Sequence, residues 1–297
     1  MTLIVRVVVP VWQAELAADA LWRTGATAVG EDTNEGSVAL LASFVDDDTA
    51  RNAVGQLTSF GEAGVEVGLD VVADGWQDQW REHARAVRAG RRIVVRPAWV
   101  HDANDDVGLT DDDLVLDIEA GRTFGYGAHA TTRLVLAMIE DLVVAGARVL
   151  DLGCGSGVLA IAAARLGASA VTGIDLDREA VDVTMANARQ NGVEHIVTSS
   201  DDEFAAVDGP FDLVVANVLA PVIVGCAADV ARVIRPGGVL VVSGLLMDRW
   251  QHVEDALAGF TLMERRVLGG WCALALRRDL TRTPARPITM VTNASAW

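Results

Sequence analysis

Short β-branched runs alternate with amphipathic stretches almost from the first residue. Leu3–Val9 reads as a strand, and Gln13–Arg23 sets Leu16, Ala20 and Trp22 near helical spacing. Ala26–Gly30 and Val38–Val45 flank a polar turn holding Asp32, Asn34 and Gly36. Asp47–Thr58 begins with acids, as a helix first turn favours, and Val65–Val72 is strand-like again. The succession β-α-β-β-α-β predicts a small ferredoxin-like α+β unit over residues 1–75. From about 130 the period settles into strand-then-helix repeats. Helix 131–142 precedes strand 147–152, helix 157–166, strand 170–174, helix 178–191 and strand 195–198. Strand 211–216, helix 221–234, strand 238–243, helix 247–258 and the pair 260–267 and 271–276 complete the series. Such alternation predicts an α/β fold with a mostly parallel, doubly wound sheet of seven strands. Gly269-Gly270 marks the last two strands as a hairpin.

Between these regions the pattern changes character. Residues 76–100 carry six Arg against two acids, with Trp76 and Trp80 at i, i+4. A basic Trp-bearing helix suits nucleic acid or a membrane surface. The reading favoured here is an interdomain helix whose Arg pair with acidic segments on either side. An acid-rich turn follows, with Asp102, Asp105, Asp106, Asp111, Asp112 and Asp113. It lacks the spacing, central Gly and final Glu of an EF-hand, so it reads as a solvated loop without metal. The expected organisation is 1–75, a linker helix and acidic loop at 76–116, a catalytic domain at 117–278 and an extension at 279–297.

Composition narrows the chemistry. All 24 basic residues are Arg, against 41 acids, for a net charge of −17. Without Lys there is no phosphate-loop Lys, no Schiff base and no Lys general base. So acidic a chain is repelled by phosphate backbones, which argues against direct nucleic-acid binding. Residues 1–72 hold three Arg and eleven acids, a net −8, and would attract a basic partner. The three Cys (Cys154, Cys226, Cys272) are far apart and fit a reducing cytoplasm rather than a disulfide framework. No secretory signal pattern opens the chain. The longest apolar stretch, Leu213–Ala228, is broken by Asn217 and Pro221 and falls short of the roughly 20 residues that span a bilayer. The expectation is a cytoplasmic protein with no membrane contact.

The densest local signal is Asp151-Leu152-Gly153-Cys154-Gly155-Ser156-Gly157, a buried strand entering a glycine-rich turn that opens a helix. A dinucleotide fingerprint places its third Gly one position later, and an acid just before the turn would repel pyrophosphate. Asp151 suits an ammonium group instead, as in a site for S-adenosylmethionine. Strand 170–174 ends in Asp175, about the distance at which an acid meets ribose hydroxyls, while Asp177 can cap the next helix. Asp201 and Asp202 follow the third strand, where a side chain can reach an adenine amino group or simply form an acidic turn. Asn217 ends strand 211–216 at the ligand crevice. Its carbonyl can orient an acceptor amine, or it can cap the following helix. Upstream, Gly-rich residues 119–132 carry Phe124, Tyr126, His129, Thr131 and Thr132. A loop of this kind can fold over a ligand, although His129 alone fits a structural hydrogen bond.

Taken together these segments resemble the PrmA-type ribosomal protein methyltransferase family. The family loop F-G-T-G-x-H-x-T-T matches Phe124–Thr132 except at Tyr126. D-x-G-C-G-S-G matches Asp151–Gly157, and G-I-D-x-D matches Gly173–Asp177. A-N-I-L is similar to Ala216–Leu219, S-G-I-L to Ser243–Leu246, W-C to Trp271-Cys272 and P-x-W to Pro97–Trp99. The family's E-P-G stands here as Glu119-Ala120-Gly121, and the stretch past 278 has no counterpart. The resemblance implies a Rossmann-like class I methyltransferase sheet and S-adenosylmethionine as cofactor. It implies methylation of amino groups on the eleventh large-subunit ribosomal protein, a basic partner docked by residues 1–75. The implied cofactor residues are Phe124, Thr131, Asp151, Gly153, Gly155, Gly157, Asp175, Asp202 and Asn217, with Asn217, Tyr126 and His129 at the acceptor. The alternatives are another protein or small-molecule acceptor, and a non-catalytic cofactor-binding adaptor.

Overall fold

In a computed structural model, the described residues are 2–10, 13–26, 28–34, 36–57, 65–72, 85–100, 107–119 and 127–280. Strands β1 (Thr2–Pro10), β2 (Ala28–Asn34), β3 (Ser37–Ser43) and β4 (Glu66–Val72) form an antiparallel sheet in the order β2-β3-β1-β4. Helices α1 (Ala14–Arg23) and α2 (Asp47–Leu57) close a core on Val5, Val7, Val9, Leu21 and Leu40.

Residues 85–118 differ from the expected helix and loop. β5 (Val87–Arg88), β6 (Ile93–Pro97) and β7 (Leu114–Ile118) make a three-stranded sheet. Ile93, Val94 and Val95 are a buried β-branched run, which prefers a pleated surface to a helix. The basic residues here do find acidic partners. Arg88 pairs with Asp113 at 2.6 Å and Arg96 with Asp117 at 2.6 Å. The Arg88 guanidinium and the Thr110 N–H hold the Asp113 carboxyl well below the usual carboxylate range. Trp76, Trp80 and Asp102, Asp105 and Asp106 lie outside the described residues.

The main sheet contains β8 (Arg148–Leu152), β9 (Ala170–Ile174), β10 (Val197–Ser200), β11 (Phe211–Asn217), β12 (Ile234–Leu246), β13 (Phe260–Leu268) and β14 (Trp271–Arg278). Their order is β10-β9-β8-β11-β12-β14-β13, with β14 antiparallel to both neighbours. This is the expected seven-stranded, doubly wound arrangement. Its central strands are apolar on both faces because both faces are covered. Val149, Leu213, Val215 and Val241 face α3 (Ala130–Leu142) and α4 (Val158–Arg165). Leu150, Val214, Leu240 and Val242 face α6 (Ala220–Gly225), α7 (Ala227–Val233) and α8 (Gln251–Ala256). The helix expected over 221–234 is two helices meeting at Cys226, after a β-branched run and Gly225, all poor helix formers. β12 begins earlier than expected because Ile234 already pairs with Phe211. The hairpin glycines Gly269 and Gly270 take positive φ of 57° and 85°.

Candidate active site

The sheet order reverses between β8 and β11, so their carboxyl ends open a crevice at the switch point. Asp151 and Leu152 of β8 pair with Val215 and Ala216 of β11. That register sets Asn217 level with Gly153 across the opening. On the other side, β9 pairs Ile174 with Leu152 and brings Asp175 to the same edge.

The glycine turn is held by its neighbours in detail. Gly153, Gly155 and Gly157 have φ of 74°, 52° and 78°, a region that side chains resist. A Cβ on Gly153 would lie 2.5 Å from Val218 Cγ1, and one on Gly157 would lie 2.8 Å from Thr184 Oγ1. The turn therefore packs directly on the segment after Asn217 and on helix α5 (Arg178–Gln190). Asp151 lies fully buried beneath it. Its Oδ2 accepts from the Ala160 N–H at 3.0 Å, satisfying a first-turn donor of α4. Its Oδ1 is buried without a partner. Burial, with a smaller contribution from the charge of Asp175, pushes this carboxyl up to about 7.

Asp175 is stitched to the turn: Oδ2 accepts from Gly155 N at 2.9 Å and Oδ1 from Asp177 N at 3.0 Å. Asp177 caps α5 by accepting from Glu179 N at 2.9 Å. Asp201 pairs with Arg178, and Asp202 is exposed beyond β10. Between the two acids of β9's tip, Leu176 is 82% exposed. The sequence shows Leu176 only as a lone apolar residue between Asp175 and Asp177, and its exposure beside the crevice comes from the fold.

Asn217 does not cap a helix. The N-cap of α6 is Leu219, and it makes no side-chain capping bond. Instead Asn217 Nδ2 donates to Thr132 Oγ1 at 3.3 Å, which fixes the amide with its carbonyl oxygen on the other side. Thr132 thus meets Asn217 from the first turn of α3. Thr131 is buried against His129, whose Nδ1 lies 2.8 Å from Thr131 Oγ1 and accepts from Thr131 N at 3.4 Å. His129 thus caps α3 and lies tilted on Trp271, 5.6 Å between ring centres. Burial lowers its pKa to about 4, so it is neutral at physiological pH. Phe124 and Tyr126 lie outside the described residues. Sequence reasoning also missed Thr184 and Asn187, which bond the turn from α5. Buried polar residues at helical spacing were the available signal. Among the described residues, no group of three or more His, Cys, Asp or Glu is gathered for a metal.

A fully buried acid under a glycine turn, with one carboxylate oxygen unpartnered, fits a ligand bearing an ammonium group, and Asp175 and Leu176 at the next strand fit a nucleoside. With the sheet order, these features define a class I S-adenosylmethionine-dependent methyltransferase. Residues 12–279 match the family described as ribosomal protein L11 methyltransferase (PrmA), and the chain belongs to that family. A ribosomal protein L11 methyltransferase of Pelotomaculum thermopropionicum is 42% identical over 210 residues, 70% of this chain and 67% of that one. One from Caldanaerobacter subterraneus subsp. tengcongensis is 32% identical over 256 residues, 84% of this chain and 81% of that one. The crystal structure of a ribosomal protein L11 methylase from Lactobacillus delbrueckii subsp. bulgaricus superposes with a TM-score of 0.60 at 31% identity. It spans 66% of this chain and 99% of that one. Membership of an enzyme family sets aside the non-catalytic adaptor. No helix of the described residues is long and apolar enough to cross a membrane.

Proposed function

We propose that the protein methylates amino groups, Lys side chains or the N-terminus, of ribosomal protein L11, with S-adenosylmethionine as donor. The observation that carries this reading is Asn217, level with the glycine turn and oriented by Thr132. The cofactor, when bound, supplies an electrophilic methyl group on a sulfonium. Asp151 and the turn Gly153–Gly157 would hold its methionine end, Asp175 its ribose, and Leu176 with Asp202 the adenine side. The carbonyl of Asn217 would accept from the acceptor amine and aim its lone pair. A Lys amine of pKa about 10.4 attacks only after losing a proton, and desolvation in the crevice lowers that pKa. His129 is too weak a base to take that proton and its Nδ1 already serves the helix cap, so it acts as a wall of the pocket with Trp271. Thr131 serves His129 in the same way. Phe124 and Tyr126 would complete that wall. Positioning then supplies most of the acceleration.

The acceptor identity rests on family membership, and the net −8 of residues 1–72 supports a basic partner docked on residues 1–75. The sheet 85–118 would join that unit to the catalytic domain. The test is transfer of labelled methyl groups from S-adenosylmethionine to purified L11 and to a cell extract. Label in L11 supports the proposal; label only in another protein or in a small molecule overturns it.

A further inference from the structure

Helix α5 turns polar residues inward where its period calls for apolar ones. Thr184, Asn187 and Asn191 fall at i, i+3 and i+7, a single stripe along the helix and its cap. Each holds the backbone of another element. Thr184 Oγ1 donates to Gly155 O at 3.1 Å. Asn191 accepts from Asp117 N at 3.0 Å and donates to Asp117 O at 2.8 Å, pinning β7. Asn187, only 2% exposed, does both jobs at once. Its Oδ1 accepts from Glu119 N at 3.0 Å, and its Nδ2 donates to Glu119 O and to Ser156 O, both at 2.8 Å. Two carbonyls converge on the nitrogen, so the amide has one orientation.

Glu119 begins the connection from β7 to α3, and that connection ends beside Asn217. At its far end a Cβ on Gly127 would lie 2.6 Å from Val95 Cγ1, so the backbone is pressed on β6, which pairs with β7. The same chain then supplies His129 and Thr132. Asn187 therefore joins the start of the acceptor-side segment to the turn proposed to hold the cofactor.

We infer that Asn187 is a positioning residue for methyl transfer: it locks Glu119 to Ser156, so that the acceptor side and the glycine turn keep one geometry. This rests on the function proposed above. Removing the amide takes three hydrogen bonds away from the backbone of Glu119 and Ser156 and frees the two segments to shift against each other. A shift of about 1 Å between reacting partners costs on the order of a hundredfold in rate.

Asn191→Ala is the control, since it loosens β7 from the same helix without touching Ser156. We expect Asn187→Ala to lower kcat with L11 by about tenfold or more, with the S-adenosylhomocysteine affinity within about threefold of wild type. Asn191→Ala should keep kcat within about twofold at a similar loss of Tm. Asn187→Ser, which keeps one donor, should fall between and serves if the alanine variant does not fold. Equal losses of kcat in the two alanine variants, or wild-type kcat in Asn187→Ala, would overturn the inference. Hydrogen exchange gives a readout independent of the acceptor. S-adenosylhomocysteine should slow exchange in peptides covering 116–119 and 127–132 of the wild type and of Asn191→Ala, but not of Asn187→Ala. The same protection in all three would overturn the inference too. Failure of wild-type protein to label L11 would instead strike the proposed acceptor and leave the exchange result to stand.

Discussion

Asp151 and Ala160 are joined by a hydrogen bond of 3.0 Å between a fully buried carboxylate and a helix first-turn N–H. The acid at the end of β8 thus has two tasks. One oxygen clasps α4, and the other, unpartnered, supplies charge to the crevice. Asp151→Asn separates them: it can keep an acceptor on Ala160 N while removing the charge. We expect its S-adenosylhomocysteine affinity to fall about tenfold or more, with little loss of Tm. Asp151→Ala should lose the affinity and also about 1–3 kcal/mol of stability. Calorimetry and thermal unfolding read both. Wild-type affinity in Asp151→Asn would show that the clasp alone matters.

The same residue makes binding depend on pH. Its folded pKa of about 7 lies above the ordinary 3.8, so the carboxyl takes a proton as pH falls through 7. A ligand ammonium favours the ionised form and draws that pKa down. Binding of S-adenosylhomocysteine at pH 6 should therefore release protons, and binding at pH 8.5 should not. Titrations in buffers of different ionisation enthalpy count them, and Asp151→Asn should show none from this site at either pH.

Much of the fold was legible because its signals are local. The strands of the main sheet, the Gly269-Gly270 hairpin and the turn Gly153–Gly157 each announce themselves within a few residues. What escaped depends on distant partners. Ile93–Val95 became a strand because β7, some twenty residues on, pairs with it. Asn217 is oriented by Thr132, 85 residues earlier, and Asn187 bonds Glu119, 68 residues earlier. The sequence shows each of these side chains but not which atom faces it.

His129 predicts a stability signature of its own. Burial lowers its folded pKa to about 4 from 6.5, so the unfolded chain binds the proton more readily between those values. Stability from this group is fully present above about pH 6.5 and is lost as pH falls towards 4. His129→Asn keeps an N-cap acceptor and removes the titration. The wild type should gain on this variant by up to about 3 kcal/mol from pH 4 to 6.5 and stay level above. A difference in unfolding free energy that does not change with pH would show that the ring titrates normally.

Asn217 and Thr132 should separate chemistry from binding. Thr132→Val removes the acceptor that holds Asn217 Nδ2 and leaves a side chain of similar size in a fully buried position. We expect kcat to fall about tenfold with S-adenosylhomocysteine affinity unchanged, and Asn217→Ala to fall further. If Thr132→Val raises only KM, Asn217 binds the acceptor without aiming it.

Gly153 and Val218 test how tightly the turn and the β11 exit are fitted to one another. A Cβ at Gly153 meets Val218 Cγ1 at 2.5 Å, and the φ of 74° disfavours any side chain there. Gly153→Ala therefore carries two penalties, a clash and a strained backbone of about 1–2 kcal/mol. Val218→Ala removes the clashing methyl groups but opens a small void, costing about 1–3 kcal/mol alone. In the double variant the alanine at 153 occupies part of that void, so the clash disappears while the strain remains. The double variant should be less destabilised than the sum of the two single variants by about 1 kcal/mol or more. Additive losses in chemical unfolding would mean that Val218 does not set the limit at Gly153 and that backbone strain alone excludes a side chain.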